Sequence, residues 1–209
     1  SPRTITGLDD VAVTIDPEAS QATIEQINQM ERLTTGLITA TVTAGDVNQG
    51  LDHLIDSTSG IGLTNPNNAI SVTVNDGGDT DQIIAAADLL TLNSRTTGLI
   101  TVTVSTITGT VADLKTAFAA NDGTQITGLE ADTVTVTYPA NASDTSISAT
   151  DLNILDDATS GLVTFTNATS LTGVGALDDS DASAVRTALT SMGAGSPGVA
   201  WGSGDSAGD

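Results

Sequence analysis

Cysteine is absent from this 209-residue chain. That excludes disulfides, thiolate zinc sites and thiol catalysis. Histidine occurs once, as His53 in "GLDHLID", and a catalytic triad or a histidine metal site needs more than this. Asp52 and Asp56 flank it at helical spacing, which places His53 on a solvated helix surface. Aromatic residues make up only 2% of the chain. No apolar run reaches the roughly 18 residues needed to span a bilayer. A GxxxxGK[ST] phosphate loop is also missing. Paired carboxylates such as Asp156 and Asp157 have no pattern around them that builds a substrate pocket, so the expectation is a protein that is not an enzyme.

Basic residues are scarce too. Five lysines and arginines stand against 26 acidic residues, for a formal net charge of −21. Such a polyanion repels nucleic acid and anionic membranes, resists aggregation, and attracts cations or basic partners.

What the chain does have is small, branched apolar residues in a repeated order. "TTGLITATVT" (Thr34–Thr43) returns as "TTGLITVTVS" (Thr96–Ser105) and as "TSGLVTFTNA" (Thr159–Ala168), with glycines at 36, 98 and 161. The runs "VAVTI", "ISVTV" and "VTVTY" begin at Val11, Ile70 and Val134, and the openers "ITGLDD", "IGLTNP" and "ITGLEA" at Ile5, Ile61 and Ile126. These markers agree on a period of about 62 residues, the mark of a repeat architecture.

Each period holds two strand–helix units. Alternation such as Val134, Val136 and Tyr138 against Thr135 and Thr137 predicts strands with one buried face. Helical patterns follow in "ATIEQINQMERL", "DQIIAAADLLTL" and "ISATDLNILDD", and a second set in "DVNQGLDHLID", "TVADLKTAFAAN" and "SDASAVRTALTSM". Gly36, Gly98 and Gly161 are expected as helix-stopping C′ residues. Thr43-x-x-Asp46, Thr110-x-x-Asp113 and Ser148-x-x-Asp151 are expected as capping boxes. Alternating strands and helices predict an α/β fold with parallel strands. The expected form is a repeat solenoid of about three 62-residue β-α-β-α units, its six strands in one sheet. The alternative is a two-sheeted parallel β-solenoid in which one full period makes one coil. The repeats occupy residues 1–60, 61–125 and 126–192. Residues 193–209, rich in Gly, Ser and Asp, are expected as a flexible tail, with Trp201 available to dock on a neighbouring molecule.

Two features are candidates for binding. "NDGGDTD" places Asp76, Asp79 and Asp81 on a glycine-rich turn, a donor set for a calcium ion, although it matches neither the EF-hand nor the calcium β-helix spacing. "DDSDAS" (Asp178–Ser183) is a second acidic loop. Calcium is the one cofactor considered; otherwise none is implied. On the strands, Thr39, Thr41 and Thr43, Thr101 and Thr103, Thr135 and Thr137, and Thr164 and Thr166 lie on one side of their chains. Parallel stacking would set them in ranks about 4.8 Å apart. Such a face suits ice, a surface glycan or another protein molecule, and threonine also simply suits a half-exposed strand. Asn141 and Asn167 begin glycosylation sequons of a kind that arise by chance in a chain rich in Ser, Thr and Asn.

The stretch "ISATDLNILDDATSGLVTFTNATSLTG" (Ile147–Gly173), with "ITGLEADTVTVT" (Ile126–Thr137) before it, resembles repeats of very large secreted surface proteins of marine cyanobacteria, of the swimming-associated cell-surface type. The likeness covers residues 5–192. It implies an extracellular or cell-surface location, a structural role, and no catalytic motif. The first repeat departs most, since "QATIEQINQMERL" is the stronger helix former. The chain begins at Ser1, which fits a processed product or a piece of a longer protein. With no polar cap evident at either end of the repeats, self-association head to tail into a filament or surface layer is expected. A calcium-dependent adhesin or an ice- or glycan-binding module is the alternative.

Overall fold

The computed structural model describes residues 10–15, 22–44, 51–56, 62–75, 83–137, 146–166, 170–172 and 200–201. Its elements begin with β1 (Val13–Thr14), α1 (Ile24–Glu31), β2 (Ile38–Ala44), α2 (Leu51–Ile55) and β3 (Ala69–Val74). They continue with β4 (Ile83–Ala85), α3 (Ala86–Asn93), β5 (Ile100–Val102), β6 (Thr106–Gly109), α4 (Val111–Ala120) and β7 (Ile126–Thr127). The last are β8 (Thr133–Thr137), β9 (Ser146–Ser148), α5 (Ala149–Ala158), β10 (Val163–Thr166), β11 (Ser170–Thr172) and β12 (Ala200–Trp201).

The chain forms two compact units whose segments alternate along the sequence. The first comprises Ser1–Gln82, Asp88–Thr103 and Ala120–Thr127; the second comprises Ile83–Ala87, Val104–Ala119 and Gly128–Asp209. The first unit carries a parallel sheet ordered β1-β2-β3-β5-β7. The second carries a parallel sheet ordered β12-β10-β8-β6-β4, with β9 and β11 paired beside each other as a further ribbon.

The α/β class and the parallel pairing are as expected; a single six-stranded sheet is not what forms. Thr39 stands opposite Ala69, and Val72 opposite Ile100. In the second unit Thr106 stands opposite Thr133, and Val134 opposite Val163. Neighbouring strands are thus close to half a period apart, so a full period is not one turn of a two-sheeted coil either. The discrepancy comes from short strands that run straight into helices. β4 ends at Ala85 and α3 begins at Ala86; β9 ends at Ser148 and α5 begins at Ala149. Alternation over so short a strand cannot be told from the first turn of a helix. "DQIIAAADLLTL", expected as helix throughout, therefore contains a strand.

The strand pattern itself follows the sequence. β3 alternates half-buried and buried residues along its whole length, with Ile70, Val72 and Val74 inward and Ser71 and Thr73 outward. In the first unit Ile38 and Val42 of β2 are buried, and α1, whose Ile24 and Ile27 are also buried, packs on β2. In the second unit Val134, Val136, Val163 and Phe165 fill the strand side of the core. Leu152 and Leu155 are the buried leucines of α5. Apolar burial of this kind contributes about 25 cal/mol per Å² and is the main force holding each unit together.

At two of the three expected positions the hydroxyl caps its helix, but the carboxylate bonds that hydroxyl and not the cap's backbone N–H, so only the first half of the expected box forms. Thr110 Oγ1 accepts from the Asp113 N–H at 3.2 Å and donates to Asp113 Oδ2 at 2.7 Å. Ser148 Oγ accepts from the Asp151 N–H at 3.0 Å and donates to Asp151 Oδ2 at 2.9 Å. Thr43 does not cap a helix: it is a strand residue of β2 opposite Thr73, and Asp46 lies outside the described residues. A box not anticipated caps α1. Thr23 Oγ1 accepts from the Gln26 N–H at 3.1 Å, and Gln26 Oε1 accepts from the Thr23 N–H at 2.9 Å. Here the Gln26 amide oxygen completes the box by taking the cap's backbone N–H.

The helix expected in "SDASAVRTALTSM" lies outside the described residues. Of the expected tail, Ala200–Trp201 pair in parallel with Thr164–Phe165 as the end strand of the second unit's sheet.

Candidate functional site

The repeated Thr-Thr/Ser-Gly triplet is a clamp between successive turns of chain. The first threonine is buried in every copy: Thr34, Thr96 and Thr159 are 6%, 6% and 8% exposed. Its hydroxyl accepts from the N–H of the glycine two residues on, at 2.9 Å for Gly36, 3.0 Å for Gly98 and 2.9 Å for Gly161. The same hydroxyl reaches back to a carbonyl of the preceding turn. Thr34 donates to Val11 O at 2.6 Å, Thr96 to Ile70 O at 2.7 Å and Thr159 to Asp132 O at 2.7 Å. The second residue adds a bond: Ser160 N–H donates to Glu130 O at 2.7 Å, and Thr97 N–H to Asn68 O at 2.9 Å.

The glycine is needed for space and not for a left-handed backbone. Gly123 and Gly128, with φ of +78° and +101°, are the described glycines at positive φ. A Cβ on Gly36, Gly98 or Gly161 would meet Val11 O at 2.3 Å, Ile70 O at 2.3 Å or Asp132 O at 2.0 Å. The expected helix-stop role is therefore corrected. These glycines let the chain press against the carbonyl that the threonine holds.

The threonine faces are real but arranged otherwise than by triplet homology. β2 and β5 belong to the first unit's sheet and are separated by β3, while β8 and β10 belong to the second. Thr39 and Thr41 pair with Ala69 and Ser71. Thr101 pairs with Thr73 and Thr127, and Thr73 with Thr43. The continuous rank is thus Thr43–Thr73–Thr101–Thr127, and Thr73 in "ISVTV" was the signal for it. Thr103 lies just beyond β5 and donates to Val74 O at 3.0 Å. In the second unit Thr135 stands opposite Thr164, with their hydroxyls 2.9 Å apart, and Thr137 opposite Thr166. Thr164 Oγ1 also donates to Val134 O at 3.1 Å. Several of these hydroxyls are occupied within their own sheets.

Two of the four sheet ends carry exposed apolar side chains. Among the described residues β1 and β7, and β12 and β4, each have one strand neighbour. Beside β1, Val11 and Leu37 are 45% and 53% exposed, whereas Leu99 and Leu162, the equivalents of Leu37, are half-buried. Ile83 on β4 is 54% exposed.

Ionisable groups fall into structural roles. Asp76, Asp79 and Asp81, like Asp178–Ser183, lie outside the described residues, and no group of three or more metal-ligating side chains occurs among the described ones. Lys115 Nζ lies 2.6 Å from Asp151 Oδ1. Burial opposes ionisation of Asp151, but hydrogen bonds from Lys115 and Ser148 and the lysine's charge outweigh it and hold the carboxyl below its usual range. Asp122 accepts from Thr124 Oγ1 at 2.7 Å, Thr124 N–H at 2.8 Å and Gln125 N–H at 3.0 Å. Those bonds, the threonine hydroxyl's foremost, lower its pKa to about 2. Asp132 is the exception. It is 4% exposed, its Oδ2 has no hydrogen-bond partner, and burial followed by the like charge of Glu130 pushes it up to about 6.

No helix among the described residues is long and apolar enough to cross a membrane. Comparison with protein-family models, curated proteins and solved structures gives no match.

Proposed function

We propose that this chain is a structural, non-catalytic repeat protein that works outside the cell or on its surface, where copies join end to end into a filament or layer. The observation that carries this reading is the exposure of apolar side chains at the sheet ends: Val11 and Leu37 beside β1, and Ile83 on β4. An edge strand offers unpaired N–H and C=O groups, and apolar residues beside it favour pairing over solvation. The two ends of a parallel sheet are not alike. A copy therefore joins by its opposite end, and such head-to-tail contacts continue instead of closing on a two-fold axis.

The half-period steps between neighbouring strands support a solenoid reading, in which each half-repeat adds one layer. The resemblance of residues 5–192 to repeats of giant cyanobacterial surface proteins supports the location. The charge of −21 keeps the sides of such a fibre soluble while leaving the ends to associate.

Electron microscopy of the purified chain tests this directly. Elongated particles whose length grows with protein concentration are expected. Monodisperse single copies at high concentration would sink the idea.

A further inference from the structure

The second and third clamps share the threonine–carbonyl bond and the close approach of the glycine, but the residue whose carbonyl is held differs. Thr96 binds the carbonyl of Ile70, and Thr159 binds that of Asp132, both at 2.7 Å, and Gly98 and Gly161 crowd those same carbonyls. The side chain at that point turns inward. Ile70 is 1% exposed and Asp132 4%. An apolar side chain in one clamp is thus replaced by a carboxyl group in the next, at the same depth.

Among the described residues, no basic group is bonded to this carboxyl. Oδ2 of Asp132 has no hydrogen-bond partner. The described strands joined at this clamp, Thr133–Thr137 of β8, Val163–Thr166 of β10 and Thr106–Gly109 of β6, contain no charged residue. The turn before β8 carries Glu130, and the last turn of α5 carries Asp156 and Asp157, all acidic. Asp151 on α5 is engaged with Lys115 of α4, the described ion pair of this unit. Asp113 on α4 bonds its own cap. A buried, unpaired carboxylate costs far more than the neutral acid at the same place.

We propose that Asp132 makes the third clamp a pH-sensitive joint, closed while its carboxyl is neutral and opening locally when the carboxyl ionises and seeks water. The link to the backbone is short. The carbonyl that Thr159 holds belongs to Asp132 itself, so turning the side chain outward strains that 2.7 Å bond and the approach of Gly161. Ser160 N–H on Glu130 O and Val134 N–H on Leu162 O belong to the same seam and open with it.

The pKa of about 6 is consistent with this geometry. The folded chain keeps the proton up to about pH 6, whereas the unfolded chain releases it near 3.8. The closed form therefore has its full advantage below about pH 3.8 and loses it progressively from there to pH 6. Above pH 6 no further change follows.

Hydrogen exchange of the full chain at pH 5 and pH 7.5, corrected for intrinsic rates, tests the joint. Amides of residues 130–134 and 159–162 are expected to open roughly 10-fold more often at the higher pH. The second clamp, residues 68–72 and 96–99, serves as the control within the same molecule and is expected to stay unchanged. Asp132→Asn should abolish the difference. Equal behaviour of the two clamps at both pH values would overturn the proposal without any variant, as would an Asp132→Asn protein that keeps the wild-type pH dependence.

Discussion

The hydroxyl of Thr96 donates to the carbonyl of Ile70 at 2.7 Å while accepting from the amide of Gly98 at 3.0 Å. It also accepts from the Ile70 amide at 2.9 Å. One buried side chain thus ties two turns of chain and sets the path of the residue that must be glycine. Thr96→Val keeps the shape and removes the bonds, leaving the buried amide of Ile70 and the half-buried amide of Gly98 without this acceptor. A loss of about 2 kcal/mol is expected in denaturant unfolding, with Thr96→Ser milder.

Gly98→Ala should cost more than a simple turn substitution. Its Cβ would sit 2.3 Å from Ile70 O, and the obstacle is backbone that cannot swing aside. A loss of about 3 kcal/mol is expected, in the range of overpacked cores. Gly123→Ala is the contrast. Nothing lies within 4 Å of its Cβ, but its φ is +78°. There the cost is the left-handed backbone alone, about 1 kcal/mol. Equal losses at the two sites in urea melts would contradict the clamp.

Two aspartates should move stability in opposite directions with pH. Asp132, raised to about 6, makes the protein less stable as pH rises from 4 to 6. After allowance for screening, the effect is at most about 2 kcal/mol. Asp122, lowered to about 2, contributes stability present above pH 4 and lost as pH falls through 2. Thermal melts of the wild type, Asp132→Asn and Asp122→Ala across pH 2 to 8 separate them. Asp132→Asn should flatten the upper limb only, and Asp122→Ala the lower limb only.

The Lys115–Asp151 pair links α4 to α5, but its side chains are 38% and 31% exposed. Solvent therefore screens it, and Lys115→Met should cost less than about 1 kcal/mol, with the difference shrinking further in high salt. The Asp151 carboxyl should titrate at higher pH in the variant, which NMR of its side-chain carbon reads directly.

Assembly should depend on the sheet ends. Ile83→Lys places a charge on an end strand where the native side chain is 54% exposed, so it should leave the melting temperature nearly unchanged. If copies join there, it should lower the mass seen in sedimentation velocity. A variant that assembles like the wild type would remove β4 from the joining surface.

Much of this was legible in the residues. Alternation in "ISVTV" and "TVTVT" is read off by eye because one strand face is buried and the other is not. The caps at Thr110 and Ser148 were legible because capping is local chemistry within the first helical turn. The threonine pairing was legible only in part: Thr135 and Thr137 do meet Thr164 and Thr166, but Thr101 meets Thr73 and Thr127 instead of its triplet homologues. Homology within the repeat told which residues were alike, and likeness is not adjacency.

By itself, then, the sequence determined the α/β class, the parallel strands, the helix starts at Thr110 and Ser148 and the repeat of the Thr-Thr/Ser-Gly triplet, because each follows from local patterns. Only the tertiary structure decided that strands close to half a period apart become neighbours, that the triplet's glycine exists to admit a carbonyl, and that Asp132 is buried where Ile70 stands one clamp earlier. Those are contacts between distant segments. Their energy comes from close packing and from hydrogen bonds closed across long loops, and no window of adjacent residues contains both partners.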